Sequence, residues 1–440
     1  MRRRARPGGG RQHEVTIEGV GARGDGYATF NGEIIYAPLT LAGDRVLLRV
    51  SGSRRGGATA ELIELLAEGP GRTEPPCPYF GRCGGCALQH MEAAHYADWK
   101  AALLPQALAH RGFSGVPIRP LTSVPPGTRR RAALAAIRHG GKVRLGFHGR
   151  ESHDLVDIEA CLLLTPALGA LLAPLRQVLG TILGNGQRAE VHVTETETGT
   201  DILFVAKGQP GLAAREALAA FANACDVARL SWAEAAGDGP AQHRAASEPE
   251  PILVRRAPRI TLGGVTVEPV PGGFLQPSRE GEAALTEAVL AYLPAACEAV
   301  VDLFCGAGTF TFALSGRARV LAVDGTDSAV AALWAAARRA DLASRIAVEV
   351  RDLAREPLLA EELSDFSAVV FHPPRTGARE QARELAKSGV PTVIADSCNP
   401  NSFARDARIL VDGGYRLIEV TPVDQFPWSG HLELVAQFSR

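Results

Sequence analysis

The chain has 440 residues, 46% hydrophobic and 22% charged, and its 47 Lys+Arg against 48 Asp+Glu leave a net charge of −1. That length predicts about three domains. No stretch approaches the ~20 uninterrupted apolar residues of a membrane span, and no apolar core follows the basic N-terminus. Eight cysteines are too sparse for a disulfide scaffold. An integral membrane protein, a secreted precursor and a disulfide-rich fold are therefore excluded, and a cytoplasmic protein is expected.

Residues 1–11 are rich in Arg and Gly and read as a disordered basic tail. Short strands follow at His13–Glu18, Gly26–Phe30, Glu33–Ala37, Asp44–Val50 and Ala58–Leu65, punctuated by Gly, Asp and Asn, which predicts a small β-barrel over 12–70. Pro75-Pro76 marks a boundary. The next segment, Cys77-Pro78-Tyr79-Phe80-Gly81-Arg82-Cys83-Gly84-Gly85-Cys86, places three thiols on one Gly-rich loop. Such a loop can wrap one soft metal centre, either tetrahedral zinc or an iron–sulfur cluster, and both require four cysteines. Of the remaining five, Cys161 follows a strand at a turn whereas Cys225 sits in an Ala-rich helical stretch, so Cys161 is the expected fourth ligand.

Apolar spacing predicts a helix over 95–111. Residues 101–150 then carry nine basic side chains, among them Arg129-Arg130-Arg131, and no Asp or Glu. This local charge suits phosphate contacts and points to a nucleic-acid partner, with the Arg triplet as a natural anchor. Mixed α+β structure is expected through about 260, interrupted by a loop or linker over 234–251 that is rich in Ala, Gly, Pro and Glu.

From residue 299 apolar runs alternate with Ala-rich helical stretches. Strands at Ala299–Phe304, Arg319–Asp324, Ile346–Val350, Ala368–Phe371 and Thr392–Asp396 predict a doubly wound parallel sheet. Two last strands, Tyr415–Val420 and Leu432–Phe438, have no helix between them and are expected to pair as a hairpin at one sheet edge. The loop after the first strand, Asp302-Leu303-Phe304-Cys305-Gly306-Ala307-Gly308-Thr309, has two glycines and lacks the third of a dinucleotide fingerprint. Asp324 ends the next strand, where a carboxylate can bind ribose hydroxyls. The combination suggests S-adenosylmethionine.

Three further groups carry chemistry. Cys398, in Asp396-Ser397-Cys398-Asn399-Pro400, follows an apolar strand on the side where open parallel sheets bind ligands and is a candidate nucleophile. Phe371-His372-Pro373-Pro374-Arg375 ends the preceding strand, the place from which many methyltransferases face the base they modify. Glu433, in His431-Leu432-Glu433, is a candidate proton acceptor.

In order along the chain, the C-x5-C-x2-C loop, Phe274-Leu275-Gln276, the D-L-F-C-G-x-G strand-loop, Pro-Pro-Arg, S-C-N-P, Arg405-Asp406 and H-x-E resemble the 5-methyluridine RNA methyltransferases, in particular the iron–sulfur branch acting on 23S ribosomal RNA. The resemblance implies a multidomain α/β protein. It would have an OB-like TRAM barrel at 12–70, a central α+β iron–sulfur and RNA-binding domain at 71–260, and a Rossmann-like methyltransferase fold at 261–440. It further implies a [4Fe-4S] cluster on Cys77, Cys83, Cys86 and Cys161. S-adenosylmethionine would be held by Gln276, Phe304, Thr309, Asp324, Asp352 and the residue at 372, with Cys398 as nucleophile and Glu433 as base. RNA is the implied partner, ribosomal before transfer RNA, and nothing signals a membrane or an obligate protein partner.

Cys161 lacks the proline that often follows the fourth ligand, which leaves the cluster expectation intact. One departure bears on activity, because the family has Asp where this chain has His372. Either Asp396, two residues before Cys398, restores the missing carboxylate, or the chain is a catalytically impaired RNA-binding protein.

Overall fold

Alternating apolar residues in the N-terminal segment build a six-stranded sheet in the order 12–16, 45–54, 57–67, 33–37, 26–30, 19–20. Its inward positions, among them Ile17, Ala28, Ile35, Val46 and Leu48, are fully buried and form one core. The predicted strands at Gly26–Phe30 and Glu33–Ala37 are met residue for residue. A computed structural model describes residues 12–54, 56–236 and 247–440, so the basic tail at 1–11 lies outside the described residues.

The chain divides into two units. The first comprises residues 12–103 with two later insertions, Gly149–Ser152 and Trp428–His431. Within it the carbonyl of Trp428 accepts from the N–H groups of Ala87 (2.7 Å) and Leu88 (3.2 Å). Tyr96 Oη accepts from Trp428 N–H at 2.9 Å, and the buried Lys100 ammonium donates to the Ser429 carbonyl at 2.8 Å. A lysine is buried in this way only where its donors are satisfied.

The second unit holds two larger sheets. The seven-stranded one runs 155–157, 142–148, 131–139, 188–196, 199–206, 227–234, 250–254. It is antiparallel except for the pair Gly199–Ala206 and Val227–Glu234, joined by the crossover helix Leu212–Ala224. The expected 234–251 linker is shorter than its composition implied, since Glu234 ends one strand and Glu250–Val254 forms the next. Pro251 disguised that strand; it sits at a register shift on a sheet edge, where a missing N–H is tolerated. Residues 237–246 of that stretch are outside the described residues.

The eight-stranded sheet has the order 346–350, 319–324, 299–303, 368–371, 392–397, 433–439, 416–424, 122–123. The first five strands are parallel, and helices alternate with them in the chain. Strand order reverses between Ala299–Leu303 and Ala368–Phe371, and the crevice beyond such a switch point is where doubly wound sheets take ligands. The terminal strands pair antiparallel as the expected hairpin at this end of the sheet, with only a two-residue strand beyond them. Glu433–Ser439 inserts beside Thr392–Ser397, with Ser397 opposite Leu434, and the two-residue strand Thr122–Ser123 takes the edge. The nearly continuous apolar run Leu434–Phe438 specifies a strand buried on both faces but not its neighbours.

Of the expected phosphate anchor, Arg130 is corrected. Its guanidinium is buried, donating to the Gln276 carbonyl at 3.0 Å and to Glu282 at 2.6 Å. Burial lowers the pKa of this Arg and raises that of its partner Glu282. A charge run in sequence does not reveal which member turns inward.

Candidate active site

The glycine loop is shaped by its backbone. Phe304 and Gly306 adopt positive φ (62° and 54°), and Gly308 reaches 100°. A Cβ on Gly308 would meet the Phe312 ring at 2.5 Å, so only glycine fits. Asp324 ties the loop down, its carboxylate accepting from Gly306 N–H (3.0 Å) and Thr326 N–H (2.8 Å). Asp302 is wholly buried beneath the loop and accepts from the Thr311 hydroxyl at 2.5 Å, while its other oxygen has no partner. Burial, with Asp324 nearby, lifts its carboxyl to about 7. Thr309 is half-buried in the same loop. Asp352, just past the Ile346–Val350 strand, accepts from Ala354 N–H at 3.1 Å.

A second layer is contributed by strand ends. Gln276 is fully buried; its Oε1 accepts from Gln425 Nε2 at 2.8 Å, and its own Nε2 lacks a partner. The same Gln425 Nε2 donates to Glu433 Oε1 at 3.2 Å. Glu433 is 2% exposed, and its Oε2 completes no hydrogen bond. Gln425 carried no motif and no sequence signal singled it out; only the pairing of the two terminal strands makes it the bridge between Gln276 and Glu433.

His372 continues from Phe371, its N–H bonded to the Leu303 carbonyl at 3.1 Å. Its ring lies against those of Phe310 (5.7 Å between centroids) and Phe274 (6.3 Å, edge on). Asp396 points to it. Oδ2 is 3.4 Å from His372 Nδ1, the carboxyl is fully buried, and neither oxygen completes a hydrogen bond. A ring nitrogen of His372 and carboxyl oxygens of Asp396 and Glu433 all lie within 4.8 Å of one another.

Cys398 is half-buried between the Thr392–Ser397 strand and the helix Pro400–Asp412, whose N-terminus Asn399 caps by accepting from Asn401 N–H at 3.1 Å. Asn399 and Ser402 both donate to the Arg375 carbonyl (3.2 and 3.0 Å), which fixes the Pro-Pro-Arg loop beside the thiol. Arg405 and Asp406 serve the same loop, bonding the Thr376 carbonyl and the Ala378 N–H.

Low dielectric governs this cluster. Burial, then the charge of Asp396, pushes Glu433 up to about 8. Burial raises Asp396 to about 8 and lowers His372. The Cys398 thiol is pushed up to about 12 by burial and by Glu433 and Asp396, against the pull of Arg375. At neutral pH the resting site is therefore close to uncharged, with His372 and Asp396 a neutral pair rather than an ion pair.

The pKa shifts set a sign for stability. A carboxyl whose folded pKa is raised contributes stability below its unfolded pKa of about 4 and loses it as pH rises through the folded value. Asp302, Asp396 and Glu433 together predict a melting temperature of the ligand-free protein that falls from about pH 4 and levels off above about pH 8. Asp396→Asn removes one such group and flattens that slope by roughly 1 kcal/mol per pH unit; an unchanged slope in thermal melts would show that Asp396 is ionised in the folded chain.

Cys77, Cys83 and Cys86 lie on one turn-rich, partly exposed loop of the first unit, and Cys161, also partly exposed, belongs to the second. Gly81 takes φ 81° to close the loop, and Cys77 N–H donates to Gln89 Oε1 at 3.2 Å. Three thiols held on one short loop fit a thiolate-bound centre in donor chemistry. The Gln276 and Asp302 atoms left without partners beside a glycine cradle likewise fit a polar nucleoside cofactor.

A doubly wound sheet with a glycine loop and a strand-end acid is a nucleotide-cofactor fold, and the cysteine and buried glutamate at its ligand end fit a methyltransferase. Residues 263–439 match the family described as tRNA (Uracil-5-)-methyltransferase. A Caulobacter vibrioides protein described as an RNA methyltransferase is 43% identical over 97% of this chain and 100% of its own. The 23S rRNA (uracil(1939)-C(5))-methyltransferase RlmD of Chromohalobacter salexigens is 33% identical over 100% of this chain and 92% of its own. The Pyrococcus abyssi tRNA (uracil-54, C5)-methyltransferase, solved with S-adenosyl-L-homocysteine, shares the fold with a TM-score of 0.75 at 22% identity, covering 97% of this chain and all of that one. The chain belongs to the S-adenosylmethionine-dependent RNA uracil-C5 methyltransferases.

Proposed function

We propose that this chain methylates carbon 5 of a uridine in 23S ribosomal RNA, with Cys398 as nucleophile and Glu433 as base. The observation that carries the reading is the convergence of Cys398, Glu433 and the glycine loop at one end of a single sheet, on its ligand-binding side. Gln276, Phe304, Thr309, Asp324, Asp352 and His372 would hold S-adenosylmethionine, which when bound would supply an electrophilic methyl group on a sulfonium centre.

Carbon 5 of uracil is too weak a nucleophile to take that methyl group unaided. Addition of the Cys398 sulfur to carbon 6 places electron density on carbon 5. The resting thiol is protonated, so addition is coupled to release of its proton to solvent, from which the departing thiolate regains one, and Arg375 is the cation that favours the thiolate. After methylation carbon 5 still carries its original proton. Glu433 removes it in its ionised form, a minority at neutral pH that the cationic sulfonium of the bound cofactor favours, and departure of Cys398 restores the ring. Gln425 holds one Glu433 oxygen and leaves the other open to the base.

The target must leave its stack to reach this site. Phe274 is 58% exposed next to His372, with the Arg131 guanidinium 4.7 Å over its ring, a pairing that suits stacking against an extruded base. The six-stranded N-terminal sheet is read as a TRAM domain over 12–70 and residues 71–260 as the RNA-binding centre, in a cytoplasmic protein. No described helix is long and apolar enough to cross a membrane. Methyl transfer to unmodified 23S ribosomal RNA and, separately, to unmodified transfer RNA tests the substrate. The ribosomal reading predicts 5-methyluridine in the first and none in the second, and the reverse pattern overturns it.

Cys77, Cys83, Cys86 and Cys161 are proposed to hold a [4Fe-4S] cluster, whose task is structural because the uracil chemistry needs no electron transfer. Anaerobically purified protein is expected to be brown with a broad visible band, and Cys77→Ser to lose it. Colourless protein with stoichiometric zinc would replace iron in this account.

A further inference from the structure

The reaction proposed above releases one proton per turnover. The sulfonium carries a positive charge and its product does not; uracil exchanges the proton on carbon 5 for a methyl group. That proton arrives on Glu433, which is 2% exposed and whose open oxygen has no hydrogen-bond partner. Before a second turnover the proton must leave a site with almost no access to water.

Two titratable side chains lie within 4.8 Å of the Glu433 carboxyl, the Asp396 carboxyl and the His372 imidazole. Asp396 is wholly buried, whereas the His372 side chain retains 14% exposure. Resting on the functional reading above, we propose that His372 is the proton outlet of Glu433, with Asp396 as the positioning residue that orients its ring. The neutral imidazole accepts the Glu433 proton on one nitrogen, which regenerates the carboxylate. The proton on its other nitrogen then passes to solvent, and the ring returns to neutrality. No bond other than N–H and O–H changes, and the proton count balances.

The surroundings suit transit rather than storage. Phe274 and Phe310 flank the ring, and burial lowers its affinity for a proton, so the imidazolium is short-lived. The neighbouring Asp396 carboxyl and the charges of Glu433 and Asp324 favour the cation while it exists. An aspartate at 372 would pass the proton on only after rotating or exchanging oxygens. An imidazole has an acceptor and a donor on opposite sides of one rigid ring.

The test is methyl transfer by His372→Ala in rapid-quench format, with and without added imidazole. Wild-type protein must first yield 5-methyluridine; if it does not, the functional reading fails and the outlet with it. Given active wild type, and with S-adenosylmethionine raised to saturate any cofactor contact weakened by the loss of the ring, His372→Ala is expected to show a first turnover faster than its own steady state, a burst that wild type lacks. Steady-state turnover then falls about 100-fold, the low end of what a positioned proton-transfer group contributes, and added imidazole restores it. His372→Gln, which fills the space but does not carry a proton, should show the same burst and slow turnover without leaving a cavity. Asp396→Asn should slow turnover less and leave S-adenosylhomocysteine binding intact. Wild-type turnover in His372→Gln, or a loss that lacks the burst and does not respond to imidazole in His372→Ala, overturns the proposal.

Discussion

Replacing Cys398 by Ala is expected to abolish methyl transfer, by on the order of 10⁴-fold or more, while RNA binding survives. Loss of a nucleophile in a covalent mechanism removes the pathway rather than weakening one contact. The substitution removes one sulfur from a half-buried position beside the Asn399-capped helix N-terminus, so folding is little disturbed. The measurement pairs tritium transfer from labelled cofactor with an RNA filter-binding titration. Unchanged methylation would remove Cys398 from the mechanism, whereas parallel loss of binding and methylation would make it a structural thiol.

Glu433→Gln has a different signature. Addition of Cys398 and methylation of carbon 5 do not need the glutamate, but removal of the carbon 5 proton does. The variant should stall as a methylated covalent RNA–protein adduct, visible as a slow-migrating band in a denaturing gel, with turnover reduced about 10²–10⁴-fold. Gln keeps the shape and the contact with Gln425, so the effect isolates proton removal. The band should vanish when Cys398→Ala is added to the same chain. A variant that turns over normally without an adduct would show that another group takes the proton.

These expectations draw on features of unequal legibility. The strands Arg319–Asp324, Ile346–Val350 and Ala368–Phe371 coincide with their sequence assignments, because short β-branched runs bounded by polar residues have few alternatives. The thiol, the Pro-Pro loop and the glycine loop were readable as motifs since each depends on local backbone chemistry. The link from Gln276 through Gln425 to Glu433 was not, because it joins residues far apart in sequence. Arg130 was misjudged for the same reason; a guanidinium facing Glu282 and one facing solvent look alike in a string of arginines. Of the expectation that Asp396 replaces the lost charge, the structure meets the placement, 3.4 Å from His372, but burial keeps the carboxyl protonated near neutral pH. Sequence proximity to Cys398 put Asp396 at the site, and the adjacent parallel strands brought the two side chains together.

Substitution at carbon 5 of uracil in RNA is reported directly by deuterium placed on that carbon. RNA transcribed with 5-deuterated uridine is incubated with the protein and S-adenosylmethionine, then digested and analysed by mass spectrometry. The expected product is 5-methyluridine in which one deuterium is lost for each methyl group gained. Methylated uridine that retains its deuterium, as methylation on the ribose or a ring nitrogen would give, would contradict it.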